Sequence, residues 1–295
     1  MHSGMVAIVG RPNVGKSSLL NALVGRKVSI VAPKPQTTRH RIQGVLHRAE
    51  GQIVFIDTPG LHRAAPRALN KYMNDAASSS LYDVDVALFV VEAGRWTDED
   101  QAVLERLKSV TAPVGLVVNK VDKFSDKAKL LPVLEKLSAL REWAFIMPLS
   151  ALKGANVNQL ANELMSRMPE GPPLYPEDQV VGHDLRFTIA ELVREKLMRS
   201  LAQELPYALT VETEMMEQEG NLLKAATVIW VERDGQKKIV IGEDGSMLKR
   251  IGTAARRELE AMTGHKVFLK IWVRVKEGWT DDPRALSRFG YDNNG

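Results

Sequence analysis

The sequence contains no cysteine and no long apolar run. Without cysteine, disulfide bonds and thiolate-held metal sites are excluded, and a cytoplasmic location is compatible with this composition. No apolar stretch reaches the roughly 18 residues that a membrane-spanning helix needs, and the N-terminus lacks the pattern of a signal peptide. We therefore expect a soluble or peripheral protein.

The chain is long enough for two domains, and its charge is unevenly distributed. It has 295 residues, against about 150 residues for an average domain. From Lys237 to Lys276 there are ten Lys or Arg and four Asp or Glu, a net charge of +6, whereas the whole chain carries +4. This basic block favours an anionic partner for the C-terminal part.

A glycine-rich motif, G-R-P-N-V-G-K-S at residues 10–17, lies between an apolar run at 5–9 and helical spacing at 18–24. Strand, glycine-rich turn and helix are the context of a phosphate-binding loop, in which backbone N–H groups surround an anion. Lys16 then reaches the β- and γ-phosphates, and Ser17 ligates magnesium. The residues that we assign to nucleotide binding here are Gly10, Arg11, Pro12, Asn13, Val14, Gly15, Lys16, Ser17 and Ser18.

A polar loop with two prolines follows at residues 33–40. In phosphate-loop proteins, a loop after the first helix supplies a second hydroxyl to the magnesium ion. Thr37 and Thr38 are both candidates, and we prefer Thr38, next to Arg39, as the metal ligand and as a catalytic group.

The apolar strand predicted at residues 51–56 ends in Asp57-Thr58-Pro59-Gly60. A carboxylate at the end of such a strand completes the magnesium shell, so Asp57 joins Ser17 and Thr38 as a predicted metal ligand. Gly60 can offer its N–H to a γ-phosphate, and we count it with Lys16 among the catalytic residues.

Leu61 stands where many phosphate-loop GTPases carry a glutamine that orients the attacking water. Leucine cannot do this, and we interpret His62 as a bystander more readily than as a base. Asn13 resembles the asparagine with which some related GTPases hold potassium, so a potassium site is a further hypothesis.

The motif N-K-V-D at residues 119–122 follows another predicted strand, 113–118, and indicates guanine recognition. The Asp122 carboxylate can accept two hydrogen bonds from the guanine ring N–H and amino group, a pair of donors that adenine lacks. Asn119 is expected to tie this loop to the phosphate loop. The N–H of Ala151 is expected to donate to guanine O6. Further predicted nucleotide contacts are Thr58, Pro59, Leu61, Lys120, Ser150 and Leu152.

Strands alternating with helices, with the motifs at strand ends, predict an α/β fold with a doubly wound, mostly parallel sheet. The remaining predicted elements of this part are helices at 64–80, 98–107 and 160–168 and strands at 84–91 and 145–149. A proline-rich stretch, residues 168–176, marks a domain boundary. We predict a GTP-binding domain at 1–170, a linker at 171–184 and a smaller α+β RNA-binding domain with its tail at 185–295.

The C-terminal part is predicted to contain a helix at 185–201, strands at 208–213, 226–232 and 267–275, and a short helix within 281–291. Its V-I-G-E-D-G segment resembles the KH module, whose G-x-x-G turn brings backbone N–H groups close to single-stranded RNA. The variable pair Glu243-Asp244 is acidic where the module usually has a basic residue, so RNA affinity is either lowered or shifted onto neighbouring cations. The predicted RNA-binding residues are Lys237, Lys238, Ile241, Gly242, Glu243, Asp244, Gly245, Lys249 and Arg250.

The phosphate loop, Q-T-T-R-H-R at 36–41, D-T-P-G-L-H, N-K-V-D, S-A-L and the KH module, with the ending Lys-Glu-Gly-Trp279, together resemble the bacterial Era GTPases over nearly the whole chain. The resemblance implies GTP hydrolysis with Mg²⁺, binding to the 3′ end of 16S ribosomal RNA, and a role in 30S subunit assembly. It also implies a cytoplasmic, monomeric protein loosely associated with the inner face of the cell membrane.

Two other functions compete with this one. A small-molecule kinase on the same phosphate loop is disfavoured by N-K-V-D and by the lack of a substrate-lid sequence. A protein whose whole function is RNA binding, with nucleotide merely structural, is distinguished by measurable GTP turnover that Lys16→Ala abolishes.

Overall fold

A computed structural model describes residues 1–60, 68–202 and 204–291. These residues form two compact units. The first comprises residues 1–31, 38–60 and 70–182, and the second comprises 32–37, 68–69, 183–202 and 204–291.

A six-stranded sheet organises the first unit. Its strands lie in the order β2-β3-β1-β4-β5-β6, in which β2 is antiparallel to β3 and the other pairs are parallel. The elements are β1 (His2–Val9), α1 (Lys16–Val24), β2 (Ile42–Arg48), β3 (Gly51–Asp57), α2 (Ala68–Ser79), β4 (Val86–Glu92), α3 (Asp98–Arg106), β5 (Val114–Asn119), α4 (Leu131–Ser138), β6 (Phe145–Pro148) and α5 (Val157–Met165). The predicted doubly wound sheet is confirmed, whereas β2 and α4 were not predicted.

The central strands are buried along their whole length. Every residue of β3, β4 and β5 is buried, as expected for apolar strands in a parallel sheet that is covered on both faces. Because their carboxyl ends point the same way, the loops after β1, β3, β4 and β5 lie at one edge of the sheet. The predicted helix at 64–80 is seen as α2, and its first residues lie outside the described part.

The proline-rich segment packs on the first unit up to Gly182. Val45 N–H donates to the carbonyl of Val180 at 2.9 Å, and Gln52 Nε2 donates to the carbonyl of Tyr175 at 2.8 Å. The two compact units therefore divide between Gly182 and His183.

The second unit packs helices on one face of a three-stranded sheet. The order is β7-β8-β9, with β7 antiparallel and β9 parallel to β8. The elements are α6 (Leu185–Ser200), β7 (Leu209–Glu219), β8 (Leu222–Val231), α7 (Asp234–Ile241), α8 (Ser246–Thr263), β9 (Lys266–Val275) and α9 (Pro283–Arg288). The first two strands extend beyond their predicted limits because they form one long hairpin, turned at Gly220 with φ 55°.

The C-terminal segment covers one end of this sheet. Trp279 is fully buried, and its Nε1 donates to the carbonyl of Ala208 at 3.3 Å. Phe289 packs 5.6 Å from the ring centroids of both Trp230 and Trp279. The short helix predicted in the tail is confirmed as α9.

Across the described ranges, no helix is both long enough and apolar enough to pass through a membrane.

Candidate functional site

The phosphate loop connects β1 to α1 with backbone that requires its two glycines. Gly15 has φ 101°, and a Cβ at that position would lie 2.4 Å from Asn119 Nδ2. A Cβ at Gly10 would lie 2.4 Å from the carbonyl oxygen of Val90. A side chain at either position is therefore excluded by close packing against the neighbouring strand ends.

Lys16 begins α1 and is buried in the loop. Its ammonium donates to the carbonyls of Gly10 at 2.9 Å and Arg11 at 3.1 Å. Burial lowers the pKa of Lys16 from 10.5 to about 8, although nearby Asp57 opposes this shift. The loop thus holds a cation at the N-terminus of a helix, an arrangement that binds anions.

Ser17, Thr38 and Asp57 are predicted metal ligands, and the structure brings them together. Ser17 Oγ donates to Asp57 Oδ2 at 2.6 Å and lies 2.8 Å from Thr38 Oγ1, which itself lies 3.3 Å from Asp57 Oδ2. The hydroxyl of Thr37 instead donates to the carbonyl of Lys34 at 2.6 Å. This geometry favours Thr38 over Thr37 as the second hydroxyl.

The Asp57 carboxylate has one satisfied and one unsatisfied oxygen. Oδ2 also accepts from Ser29 Oγ at 3.1 Å, a residue that sequence analysis did not identify. Oδ1 is buried and has no hydrogen-bond partner among the described residues. Burial raises the pKa of Asp57 above its usual value, although Lys16 and the hydroxyl donors oppose this shift. A buried carboxylate oxygen without a donor, next to two hydroxyls, fits an oxygen-preferring cation such as Mg²⁺.

The rest of the D-T-P-G motif lies against the phosphate loop. Thr58 Oγ1 donates to the carbonyl of Ile8 at 2.9 Å. A Cβ at Gly60 would lie 2.9 Å from the backbone nitrogen of Pro12, so only glycine allows this approach. The predictions for Leu61 and His62 lie outside the described residues.

The N-K-V-D loop is tied to the phosphate loop as predicted. Asn119 Nδ2 donates to the carbonyl of Val14 at 2.9 Å. Asp122 Oδ1 accepts from Ser150 Oγ at 2.5 Å, which orients the carboxylate predicted to bind guanine.

The N–H of Ala151 has a partner within the protein. It donates to Asn119 Oδ1 at 3.0 Å, and its contact with guanine O6 stays a prediction. This bond links the S-A-L segment to the N-K-V-D loop because both follow neighbouring parallel strands, β6 and β5.

Glu92 is a site residue that sequence analysis missed. It ends β4 and is 7% exposed. Its carboxylate accepts from Lys120 Nζ at 3.0 Å and Lys123 Nζ at 2.6 Å, and it lies 3.4 Å from Arg11 Nη2. Arg11 Nε also donates to buried Asp100 at 2.8 Å. A carboxylate at the carboxyl end of an apolar strand was the available signal, the same one that identified Asp57.

A second predicted site lies in the second unit, at the G-x-x-G turn between α7 and α8. Gly242 and Gly245 have φ values of 77° and 74°, and Asp244 also has a positive φ of 49°. A Cβ at Gly242 would lie 2.9 Å from the backbone nitrogen of Met247. The predicted RNA-binding residues Lys237, Lys238, Ile241, Glu243, Lys249 and Arg250 lie on these two helices and the turn.

The charges around this turn are largely exposed. Glu243 and Asp244 project at the turn, while Lys249 and Arg250 are exposed in the first turns of α8 and Lys238 is exposed near the end of α7. The acidic pair therefore lies between two groups of cations, which fits a displaced phosphate path.

Two protein-family models each match one part of the chain. Residues 5–120 match the family described as 50S ribosome-binding GTPase, and residues 204–280 match the KH domain family. Among curated relatives, GTPase Era of Stenotrophomonas maltophilia strain R551-3 is 52% identical over 291 residues, covering 99% of this chain and 98% of the relative. GTPase Era of Xanthomonas campestris pv. campestris strain B100 is 53% identical over 290 residues, covering 98% of this chain and 97% of the relative.

Solved structures of Era proteins are also similar to this chain. A tyrosine-to-alanine variant of Aquifex aeolicus Era bound to GDP·AlF4⁻ matches with a TM-score of 0.95 and 40% identity, covering 99% of both chains. Era in complex with MgGDPNP and nucleotides 1506–1542 of 16S ribosomal RNA matches with the same TM-score, identity and coverage.

Proposed function

Because the chain belongs to the Era family of GTPases, we propose that it is a GTP-controlled RNA-binding switch that binds 16S ribosomal RNA and acts in 30S subunit assembly. It is a GTP hydrolase with a KH domain. The observation that carries the proposal is the likeness, at a TM-score of 0.95, to an Era chain holding both MgGDPNP and 16S ribosomal RNA.

The nucleotide is proposed to bind at the edge of the first sheet. The phosphate loop surrounds the phosphates, and Lys16 places a cation beside them. Asp122, held by Ser150 at 2.5 Å, selects guanine. The carbonyl of Asn13 accepts from Lys120 Nζ at 2.5 Å, which fixes the lysine whose stem covers the base.

Ser17, Thr38 and Asp57 are proposed to hold Mg²⁺. When bound, such an ion neutralises charge on the transferred phosphoryl group. The support is the cluster of oxygens around Asp57 and the unpartnered buried Oδ1. Gly60 is packed on Pro12 of the phosphate loop, and its N–H is proposed to donate to the γ-phosphate.

Two further proposals concern how the chain hydrolyses GTP: one follows from Leu61 and the other from Asn13. Leucine at position 61 has no group to orient water, so positioning, the metal and the loop cations carry the rate enhancement. Asn13 is exposed, and its backbone has a φ of 63°. It is the proposed potassium contact. Equal hydrolysis rates in sodium and potassium would contradict that contact.

The second unit, which contains the C-terminal part of the chain from His183 onward, is the proposed RNA-binding domain. Its support is the G-x-x-G turn with positive φ values and exposed cations on both sides. We propose a GTPase domain at 1–170 and a KH domain at 185–295. Monomeric state, cytoplasmic location and peripheral contact with the inner membrane face are proposed from the family resemblance.

The test measures both activities on the full-length chain. We expect GTP hydrolysis that is abolished by Lys16→Ala, and binding to an RNA of nucleotides 1506–1542. Gly245→Asp is expected to weaken RNA binding while GTP hydrolysis without RNA continues. Cellular crosslinking that recovers random messenger fragments in place of 16S ribosomal RNA would overturn the proposal.

A further inference from the structure

The second sheet has an outer face that the helices leave uncovered. On β9, Val267 and Val273 are buried, and Leu269 and Ile271 pack against the same helix-side core. Since side chains alternate along a strand, the residues between them lie on the opposite face. This outer stripe consists of Lys266, Phe268, Lys270, Trp272 and Arg274, all exposed.

Two large aromatic side chains in this stripe are exposed to solvent. Phe268 is 50% exposed and Trp272 is 56% exposed. The C-terminal segment covers the other end of this face, where Phe289 packs on Trp230 at 5.6 Å. An exposed strand with large aromatic residues is an aggregation liability, so its presence points to a binding role.

Cations alternate with the rings. Lys270 Nζ lies 5.6 Å from the centroid of Phe268, and the Arg274 guanidinium lies 5.8 Å from that of Trp230. β9 itself contains no Asp or Glu. Two acidic residues on β7 contact cations of this sheet: Glu214 pairs with Arg274 at 2.8 Å, and Glu219 pairs with Lys224 at 2.6 Å. Lys266 and Lys270 add further positive charge to the face.

Rings separated by cations match single-stranded nucleic acid better than an apolar partner. Bases stack on aromatic side chains without sequence preference, while neighbouring Lys and Arg meet the phosphates. Lys is depleted at protein–protein interfaces, whereas Lys266 and Lys270 lie on either side of Phe268 in the stripe.

The strand that carries the stripe also packs, through its opposite face, on a helix of the proposed RNA site. β9 packs on α8, the helix that begins directly after the G-x-x-G turn, where a Cβ at Gly252 would lie 3.3 Å from Ile271 Cδ1. The turn itself accommodates only about four nucleotides. A longer RNA therefore has nucleotides that the turn does not hold, and these are available to other surfaces of the unit.

We propose that the outer stripe is a second RNA-binding surface, on which Phe268 and Trp272 stack unpaired bases outside the G-x-x-G turn. This inference rests on the proposed RNA-binding function. It assigns the stripe a role only for RNA that extends beyond the nucleotides held at the turn.

The test compares a long and a short RNA on the full-length protein. The long probe is the RNA of nucleotides 1506–1542, and the short probe is the tightest binder among tiled pentanucleotides from it. For the double variant Phe268→Ala/Trp272→Ala, we expect affinity for the long RNA to fall by about 10-fold or more, as loss of base stacking does. Affinity for the short RNA should stay within about twofold of wild type.

Two variants serve as controls. Phe268→Tyr/Trp272→Phe retains the rings and should bind the long RNA like wild type. Tyr82→Ala removes a 72% exposed aromatic of the first unit and should leave both affinities unchanged. Ultraviolet crosslinks to the long RNA should map to Phe268 or Trp272 by mass spectrometry.

The outcomes separate this inference from the proposed function. If wild type binds neither RNA, the proposed function fails. If wild type binds but the double alanine variant binds both RNAs equally well, or loses both equally, the stripe is not a separate surface. Retained RNA binding with loss of binding to anionic phospholipid vesicles would assign the face to a membrane and overturn the inference.

Discussion

At the scale of single residues, the two adjacent threonines of the 33–40 loop have different surroundings. Thr38 is buried, with its hydroxyl 2.8 Å from Ser17 Oγ and 3.3 Å from Asp57 Oδ2. Thr37 donates instead to the carbonyl of Lys34 at 2.6 Å. Two residues of the same chemistry thus form a matched pair, of which one faces the proposed metal site.

Replacing Thr38 by alanine removes one proposed oxygen ligand. We expect kcat/KM for GTP hydrolysis to fall by about 10- to 100-fold and the magnesium concentration for half-maximal rate to rise. Thr37→Ala keeps the Ser17–Thr38–Asp57 cluster and should change both quantities by less than about threefold. A magnesium titration of steady-state hydrolysis measures both, and the reverse ranking would assign the metal to Thr37.

At the scale of elements, Glu92 connects three segments of the first unit. It ends β4 and contacts Arg11 of the phosphate loop and Lys120 and Lys123 after β5. Burial raises the pKa of Glu92, but hydrogen bonds from Lys123 and Lys120 outweigh this effect and lower it to about 2. The ionised carboxylate is therefore favoured in the folded protein.

Glu92→Gln should lower the free energy of unfolding at neutral pH by about 1–3 kcal/mol, because three cations lose their shared counter-charge. A group with a lowered folded pKa stabilises above its unfolded value of 4.5 and loses that contribution as pH falls toward 2. The difference between wild type and variant in urea unfolding should thus be constant from pH 7 to 5 and shrink below 4.5.

The control for this substitution is Glu163→Gln. Glu163 of α5 pairs at 2.6 Å with Arg167, two residues beyond the end of that helix, and both side chains are about one-third exposed. An exposed pair of this kind contributes about 0–0.5 kcal/mol. Equal destabilisation by the two variants would show that the network around Glu92 adds nothing beyond an ordinary surface pair.

At the scale of the whole molecule, the chain builds two cores. The sheet of the first unit is covered by helices, while the second unit combines one helical layer with a C-terminal aromatic cluster. Trp279 is fully buried in that cluster, and its ring stacks 6.1 Å from Tyr291. The K-E-G-W ending, noted in the sequence as a resemblance, is thus a packing element of the second unit.

Trp279→Ala should destabilise the second unit by about 3–5 kcal/mol, since it leaves a large cavity. Hydrogen exchange followed by mass spectrometry should show faster exchange in β7, β8 and β9 and unchanged exchange in β1, β3 and β4. Trp272→Ala, at a 56% exposed tryptophan of the same sheet, should alter exchange little. An equal increase in both units would mean that they unfold together.

Much of this architecture was predictable from the sequence, for particular reasons. β3 and β5 are mostly apolar runs followed by the polar motifs D-T-P-G and N-K-V-D, so both the strands and the chemistry at their ends were visible. β2 was missed because Ile42–Arg48 includes a glycine and polar residues, and it becomes a strand by pairing antiparallel with β3. The extension of β7 was missed similarly, since its charged outer half is held by pairing with β8.

The sequence alone determined the family, the alternating fold and the motifs for phosphate, guanine and RNA, because each requires particular residue types at short spacing. Tertiary structure decided which groups share a site: Thr38 rather than Thr37 beside Asp57, Ser29 as a further donor, and Glu92 as the link between two loops. It also separated the two faces of β9 into a packed side and an aromatic, basic side. Contacts between residues far apart in the chain depend on how the elements pack, which local spacing does not record.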